Sequence, residues 1–238
     1  MNNIDDRQAR PPLTLAIVVP VFMEPNIGAE LDCVCQQAAD EIIIVDGGEA
    51  LMTERLRAWM AARALANVCV ITAPRGRASQ MNAGAAVATA DILLFLHADT
   101  ELPPDAPAFI RGAIDTGAVW GRFDVRLSGA RPAFRVIEYF MNMRSAITGI
   151  ATGDQCIFVR REVFQWLGGF RPIEIMEDID LSGRLKSVGP PFRIRPCVVT
   201  SSRRWERQGI LRTVVLMWFL RAMYALGASP RFLSQWYK

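Results

Sequence analysis

Four side chains able to hold a cation or move a proton sit where a parallel sheet would gather them. The segments Val19-Pro20-Val21-Phe22-Met23-Glu24, Val45-Asp46-Gly47-Gly48 and Leu96-His97-Ala98-Asp99-Thr100 each follow a short apolar run. Such a run reads as a strand buried on both faces. Open parallel sheets bind ligands beyond the carboxyl ends of their strands, so Glu24, Asp46, His97 and Asp99 are expected along one rim. Each alone would read as a loop cap; together, at three strand ends, they read as a site. His97 and Asp99 are two apart and on extended backbone point to the same side. A carboxylate at Asp99 suits Mg²⁺ or Mn²⁺ carried with substrate phosphates. His97 is either a softer second ligand, better matched to Mn²⁺, or a group that hydrogen-bonds a phosphate or orients Asp99. It is the one histidine of the chain, so any histidine-dependent step must use it.

The elements that would carry these residues follow a strand–helix rhythm. Residues 13–19, 41–45, 68–72 and 91–96 read as buried strands, and residues 26–39, 51–65 and 78–89 as the helices between them. This predicts right-handed βαβ units and an α/β, mostly parallel sheet with helices on both faces. After Thr100 the rhythm breaks. A helix is expected over 105–115, a longer strand over 118–127, a short strand over 155–159 and a helix ending at Leu167. A further helix is expected over 175–188 and a strand over 192–200. Residues 130–150 are mixed, aromatic and rich in Met. The reading is a flexible arm over 1–12 and one domain over 13–200. Residues 13–100 of that domain form a nucleotide-binding half and 101–200 an irregular acceptor half. A helical tail follows over 201–238.

Composition narrows the classes. With 51% apolar residues in 238, the chain can build a large core, which excludes disorder, coiled coil and collagen. A net charge of +3 from 27 basic and 24 acidic residues is too balanced to argue for nucleic acid. Five cysteines, with no paired CxxC spacing, read as buried free thiols in a reducing cytosol. Residues 1–12 lack an apolar signal segment. A cytoplasmic location is expected. The first strand is followed by Pro-Val-Phe-Met-Glu-Pro, which excludes a dinucleotide-binding Gly-x-Gly-x-x-Gly turn, and no Walker P-loop is present.

Four blocks in order resemble a known family. They are Ile17 to Glu24 with Asn26; Ile43-Ile44-Val45-Asp46-Gly47-Gly48; Arg75 to Gly84 leading to Leu94-Phe95-Leu96-His97-Ala98-Asp99; and Gly153-Asp154-Gln155, then Leu167-Gly168-Gly169-Phe170 and Glu177-Asp178-Ile179-Asp180-Leu181. The chain resembles a family-2 glycosyltransferase of the GT-A fold, within a small bacterial subgroup carrying His-Ala-Asp in place of Asp-x-Asp. The resemblance implies an inverting transfer of sugar from a nucleoside-diphosphate sugar, UDP- or GDP-linked, with Mn²⁺ or Mg²⁺ on the diphosphate. It implies that Pro20, Val21 and Glu24 line the nucleoside and that Asp46 bonds the base. Arg77 would reach base or diphosphate, with Asn82 and Ala98 in the same nucleotide-binding set. Metal falls to Asp99, with His97 standing where the family has its first Asp. The general base falls to Asp178, with Glu177 as the second candidate. Gly153, Asp154 and Gln155 would line the acceptor pocket, for an acceptor that could be lipid-linked.

Two other functions fit parts of the pattern: a nucleotidyltransferase on a similar sheet, and a non-catalytic sugar-nucleotide binder. The acidic cluster Glu174, Glu177, Asp178 and Asp180 can also be read as stabilisation of a helix start, with Arg184 and Lys186 at its end. The tail places Arg203, Arg204 and Arg207 beside an apolar helical stretch. That pattern suits either peripheral contact with an anionic membrane surface or packing on the domain. In the first case the protein would sit on the inner membrane face, and Arg203 or Arg204 could instead reach the diphosphate.

Overall fold

The structure is a computed structural model that describes residues 11–23, 27–48 and 50–237. The arm expected over 1–12 therefore lies almost wholly outside the described residues. The apolar runs become β1 (Leu15–Val21), β2 (Glu41–Asp46), β3 (Val68–Thr72) and β4 (Ile92–Phe95), parallel and in the order β3-β2-β1-β4. Between them run α1 (Ile27–Cys35), α2 (Ala50–Arg63) and α3 (Arg77–Val87). Side chains alternate across a strand, and two separate cores result. Leu15, Ile17 and Val19 of β1 pack with Leu31 of α1, Leu56 of α2 and Ile110 of α4 (Ala106–Asp115). Ala16 and Val18 pack on the other face with Met81 and Ala85 of α3. Gly84 sets how closely α3 approaches, since a Cβ there would stand 2.4 Å from Cγ1 of Val18. That proximity brings the first turn of α3 to the ends of β1 and β2.

The second half adds β5 (Thr100–Glu101), β6 (Trp120–Leu127), α5 (Pro132–Thr148), β7 (Phe158–Arg160), α6 (Arg161–Trp166), α7 (Glu177–Leu185) and β8 (Phe192–Thr200). It ends with α8 (Arg203–Gln208), α9 (Ile210–Ala225) and α10 (Pro230–Ser234). The sheet runs β3-β2-β1-β4-β7-β6-β8-β5. β7 is antiparallel to β4 and β6, and β5 to β8; the other pairings are parallel. α6 and α7 cover the face that α3 covers, through Phe164, Leu181 and Leu185. Among the described residues, no helix is long and apolar enough to cross a membrane. The thiols differ from expectation: Cys156 is buried, whereas Cys33, Cys69 and Cys197 are exposed.

The mixed stretch over 130–150 is a 17-residue helix, α5, turned inside out. β6 pairs with β7 only at Trp120 and Gly121, so the rest of that edge needs other partners. Polar side chains of α5 supply them. Asn142 accepts from the Val125 N–H and donates to its carbonyl, both at 2.9 Å. Glu138 accepts from the Leu127 N–H at 2.6 Å, and Arg135 donates to the Leu127 carbonyl at 2.9 Å. The polar face is drawn inward, which leaves Val136, Tyr139, Phe140 and Ile147 exposed. Asn142→Ala strips Val125 of both partners and is expected to cost about 2–4 kcal/mol. Urea unfolding of the full chain measures it, and a loss under 0.5 kcal/mol would show that water serves the edge as well.

Candidate active site

The carboxyl ends of β1 and β4 and the start of α3 open on a cavity of about 320 Å³. Of the residues singled out in the sequence, Pro20, Val21, Arg77, His97, Ala98, Asp99 and Asp154 line it. Glu24 lies outside the described residues. Asp46, Asn82, Gly153, Gln155, Glu177 and Asp178 do not line the cavity; Asp46, Gln155 and Glu177 are buried, whereas Asp178 is partly exposed.

His97 and Asp99 reach the cavity by a different backbone path from the extended one that their spacing suggests. The Thr100 N–H donates to the His97 carbonyl at 3.0 Å, closing a turn that reverses the chain so that β5 can pair with β8. Asp99 remains over a third exposed, with Arg203 Nη2 4.0 Å from its Oδ2. The His97 ring is nearly buried, and its Nδ1 lies 3.6 Å from Asp154 Oδ1. It lies against Gly153, where a Cβ would stand 2.3 Å from both Cε1 and Nε2. Only glycine permits that approach.

Gly153 opens a single 3-10 turn over Gly153–Gln155. Its N–H donates to Asp178 Oδ2 at 2.6 Å, and the Ile179 N–H donates to Asp178 Oδ1 at 2.7 Å. Two backbone donors thus fix the Asp178 carboxylate at the N-terminus of α7, where the helix dipole also favours it. The residue before α7, Met176, has φ 67°, a left-handed conformation that is strained for a side chain of this kind. Glu177 is buried, with Arg77 Nη1 3.7 Å from its Oε1. Burial and the Asp178 charge push the Glu177 carboxyl up, and Arg77 pulls against them. Burial would raise the Asp154 carboxyl too, but the adjacent His97 ring and the charges of Arg77 and Arg221 hold it below the usual range. Asp154 keeps nearly half of its side chain exposed, which leaves the charge partners in control.

The remaining expected residues have other neighbours. Asp46 is fully buried; the Thr53 hydroxyl donates to Oδ2, while Oδ1 has no hydrogen-bond partner among the described residues. Asn82 spends its amide on the backbone of Phe170, donating to the carbonyl at 2.8 Å and accepting from the N–H at 2.9 Å. Gln155 is buried and accepts from the Thr152 N–H at 3.3 Å. Both hold loops in place.

Sequence reasoning passed over Gln80 and Tyr237. Gln80 Nε2 donates to the carbonyls of Val21 and Val45, each at 2.8 Å, tying the ends of β1 and β2 beside the cavity. Its place one turn after Arg77 on α3 is the available signal. Tyr237 enters from the far C-terminus, lines the cavity with Arg77 and favours the charged form of that guanidinium. The Arg204 guanidinium lies 3.8 Å over its ring and donates to its carbonyl at 2.7 Å. No local pattern could announce a partner 160 residues away. The tail is seated by Leu220 and Leu233, which form a small core with Ile175 and Met176 ahead of α7.

The arrangement can hold a polyanion between arginines and place a cation at Asp99. Among the described residues no group of three or more His, Cys, Asp or Glu could hold a metal by itself. A hard cation at Asp99 would therefore draw its other ligands from phosphate oxygens and water.

Comparison with known proteins places this geometry. Two solved structures share the fold. One is the mannosyltransferase PcManGT from Pyrobaculum calidifontis in complex with GDP-Man and Mn²⁺, with TM-score 0.61 and 20% identity over 79% of this chain and 57% of that one. The other is S. aureus TarS 1-349 in complex with UDP, with TM-score 0.64 and 13% identity over 79% of this chain and 60% of that one. The chain thus spans less than two thirds of either. No curated protein matches it. The fold is that of the GT-A glycosyltransferases. The family description "Glycosyl transferase family 2" matches residues 16–167, and with well over half of its length inside that match the chain belongs to glycosyl transferase family 2.

Proposed function

We propose that the protein transfers a sugar from a nucleoside-diphosphate donor to an acceptor hydroxyl, inverting the anomeric centre. One observation carries the reading: Asp99 and Arg77 share a cavity with Asp154, and the turn at Gly153 joins that cavity to the Asp178 carboxylate. Pro20 and Val21 would bound the nucleoside, while Asp46, buried outside the cavity lining and bonded to Thr53, would steady the end of β2 beside it. Arg77, with Arg203 and Arg204 from the tail, would face the diphosphate. GDP and UDP, present in the two neighbours, are the donors to try first. The exposed carboxylate at Asp99 fits Mn²⁺ or Mg²⁺, which when bound would neutralise charge on the departing diphosphate.

The acceptor oxygen attacks the anomeric carbon from the face opposite the diphosphate. The bond to the diphosphate breaks, and the hydroxyl proton passes to a carboxylate. Asp178 suits that role because two backbone donors fix it while lone pairs remain free. Glu177 faces Arg77 and serves instead to position that guanidinium. His97 packs on Gly153 and faces Asp154, a geometry that supports a positioning role for the ring over direct metal ligation. Asn82 and Gln155 are assigned to loop positioning.

A second part of the reading concerns the outer surface. α9 buries Thr213 and Leu220 yet exposes Leu211, Val215 and Trp218. α5 adds Tyr139 and Ile147. This apolar surface, with Arg207 and Arg212 near it in sequence, supports peripheral contact with an anionic bilayer. It accords with a cytoplasmic protein resting on the inner face of the membrane.

Two variants test the chemistry. Asp178→Asn is expected to lower turnover of the donor by about 10²–10⁴-fold with nucleotide affinity intact. Asp99→Ala is expected to remove the Mn²⁺ dependence of nucleotide binding in calorimetric titrations. Full activity in the first, or metal-dependent binding that survives the second, defeats the assignment. For the surface, the chain is expected to co-sediment with vesicles containing anionic lipid, and Trp218→Glu to reduce the bound fraction at least threefold. Equal sedimentation of both, or none with either, ends the membrane reading.

A further inference from the structure

The mechanism above leaves two interior arginines without a task. Arg144 lies in the last turns of α5 and Arg221 in the second half of α9. The Nε and Nη2 of Arg144 are buried and make no hydrogen bond among the described residues. Unpaired buried donors on a charged group are costly, and few persist without a reason. A second cation adds to the cost. Burial and the nearby Arg221 charge push the Arg144 guanidinium down to about 10, with Asp178 and Asp154 pulling the other way. Arg221 is lowered by burial in its turn and is opposed by the same two carboxylates. Arg122, also near Arg144, is already engaged with Asp124. Two helices therefore present guanidinium groups toward one pair of carboxylates, and one of those groups has donors to spare.

Their position relative to the cavity follows from helix geometry. Thr213 and Met217 of α9 line the cavity. Arg221 is the next residue at that spacing of four, about 6 Å further along the helix. Arg144 approaches from α5, whose end leads directly into the Gly153 turn. Arg221 thus stands one helical turn beyond the cavity-lining residues of α9, and with Arg144 it acts on Asp154 and Asp178, the carboxylates that Arg77 also faces from the cavity side.

We propose that Arg144 and Arg221 form an anion subsite that seats a carboxylate or phosphate of the acceptor beside Asp178. The inference rests on the sugar-transfer reading and names the acceptor class: a hydroxyl compound bearing an anionic group. A planar guanidinium fork matches either anion through paired N–H donors. An anion between the two groups satisfies the unpaired donors, relieves the repulsion between the arginines, and delivers its own hydroxyl to the carboxylate that takes the proton.

The test uses the full chain with Mn²⁺ and saturating UDP or GDP. It is titrated with glycerol, glycerate and glycerol 3-phosphate, which carry hydroxyls with no charge, a carboxylate or a phosphate. At least one anion is expected to bind saturably, at least tenfold more tightly than glycerol, and the preferred one identifies the acceptor's anion. Arg144→Gln and Arg221→Gln are each expected to weaken that binding at least tenfold, with nucleotide affinity unchanged within twofold. Arg144→Gln is also expected to leave the melting temperature unchanged or raised, because no native bond of those nitrogens is lost; an arginine serving structure alone would lower it. Equal affinity for glycerol and both anions, or anion binding that survives both substitutions, overturns the proposal. If neither nucleotide binds, the donor reading fails instead, and the same anion titrations on the nucleotide-free chain carrying Arg77→Gln decide this one.

Discussion

The site depends on a contact that only a glycine allows. The His97 ring lies where a Cβ of residue 153 would have to be, and the N–H of the same residue holds the Asp178 carboxylate. The end of β4, the 3-10 turn and the start of α7 therefore meet at one backbone unit. A shift in any of them moves the others, because neither a ring–backbone contact nor a bond of 2.6 Å has slack to absorb it. Gly84 plays a related part in α3, where its missing side chain lets the helix press on Val18 and carry Arg77 and Gln80 to the strand ends.

Charge is balanced locally around this junction. Arg77 faces Glu177, His97 faces Asp154, and Asp180 is shared between Arg171 and Arg184 at 2.9 and 2.8 Å. Tyr237 and Arg204 bring the tail onto Arg77, so α8 to α10 complete the cavity instead of trailing from the domain. α9 serves on two sides: its inner residues pack ahead of α7 and line the cavity, and its outer residues form an exposed apolar face. α5 has the same double character for another reason, since its polar side chains are committed to the open edge of β6.

The first half of the sheet was legible because its physics is local. Continuous apolar runs such as Ile42 to Val45 announce buried parallel strands, and the polar residues that follow them fall on the rim. His97 and Asp99 do line the cavity at the end of β4, whereas Asp46 is buried outside its lining. What depends on distant partners could not be read. α5 escaped notice because several of its large apolar residues face outward while Glu138 and Ser145 are buried beside Phe134, which blurs the pattern that marks a helix. The turn at His97 is imposed by the pairing of β5 with β8. Asn82 and Gln155 sit inside blocks that match the family, yet their hydrogen bonds go to loops. Tyr237 and Arg144 had no local signal, since their surroundings are assembled from segments far apart in the chain.

The most direct measurement is the turnover of a bound nucleotide sugar by Gly153→Ala. The added methyl must displace the His97 ring or shift the residue 153 backbone whose N–H holds Asp178, and a misplacement near 1 Å costs about 10²-fold in rate. The account predicts a loss of that order with nucleotide affinity nearly unchanged and the chain still folded. Turnover equal to that of the unaltered protein would show that the junction at Gly153 does not govern the chemistry.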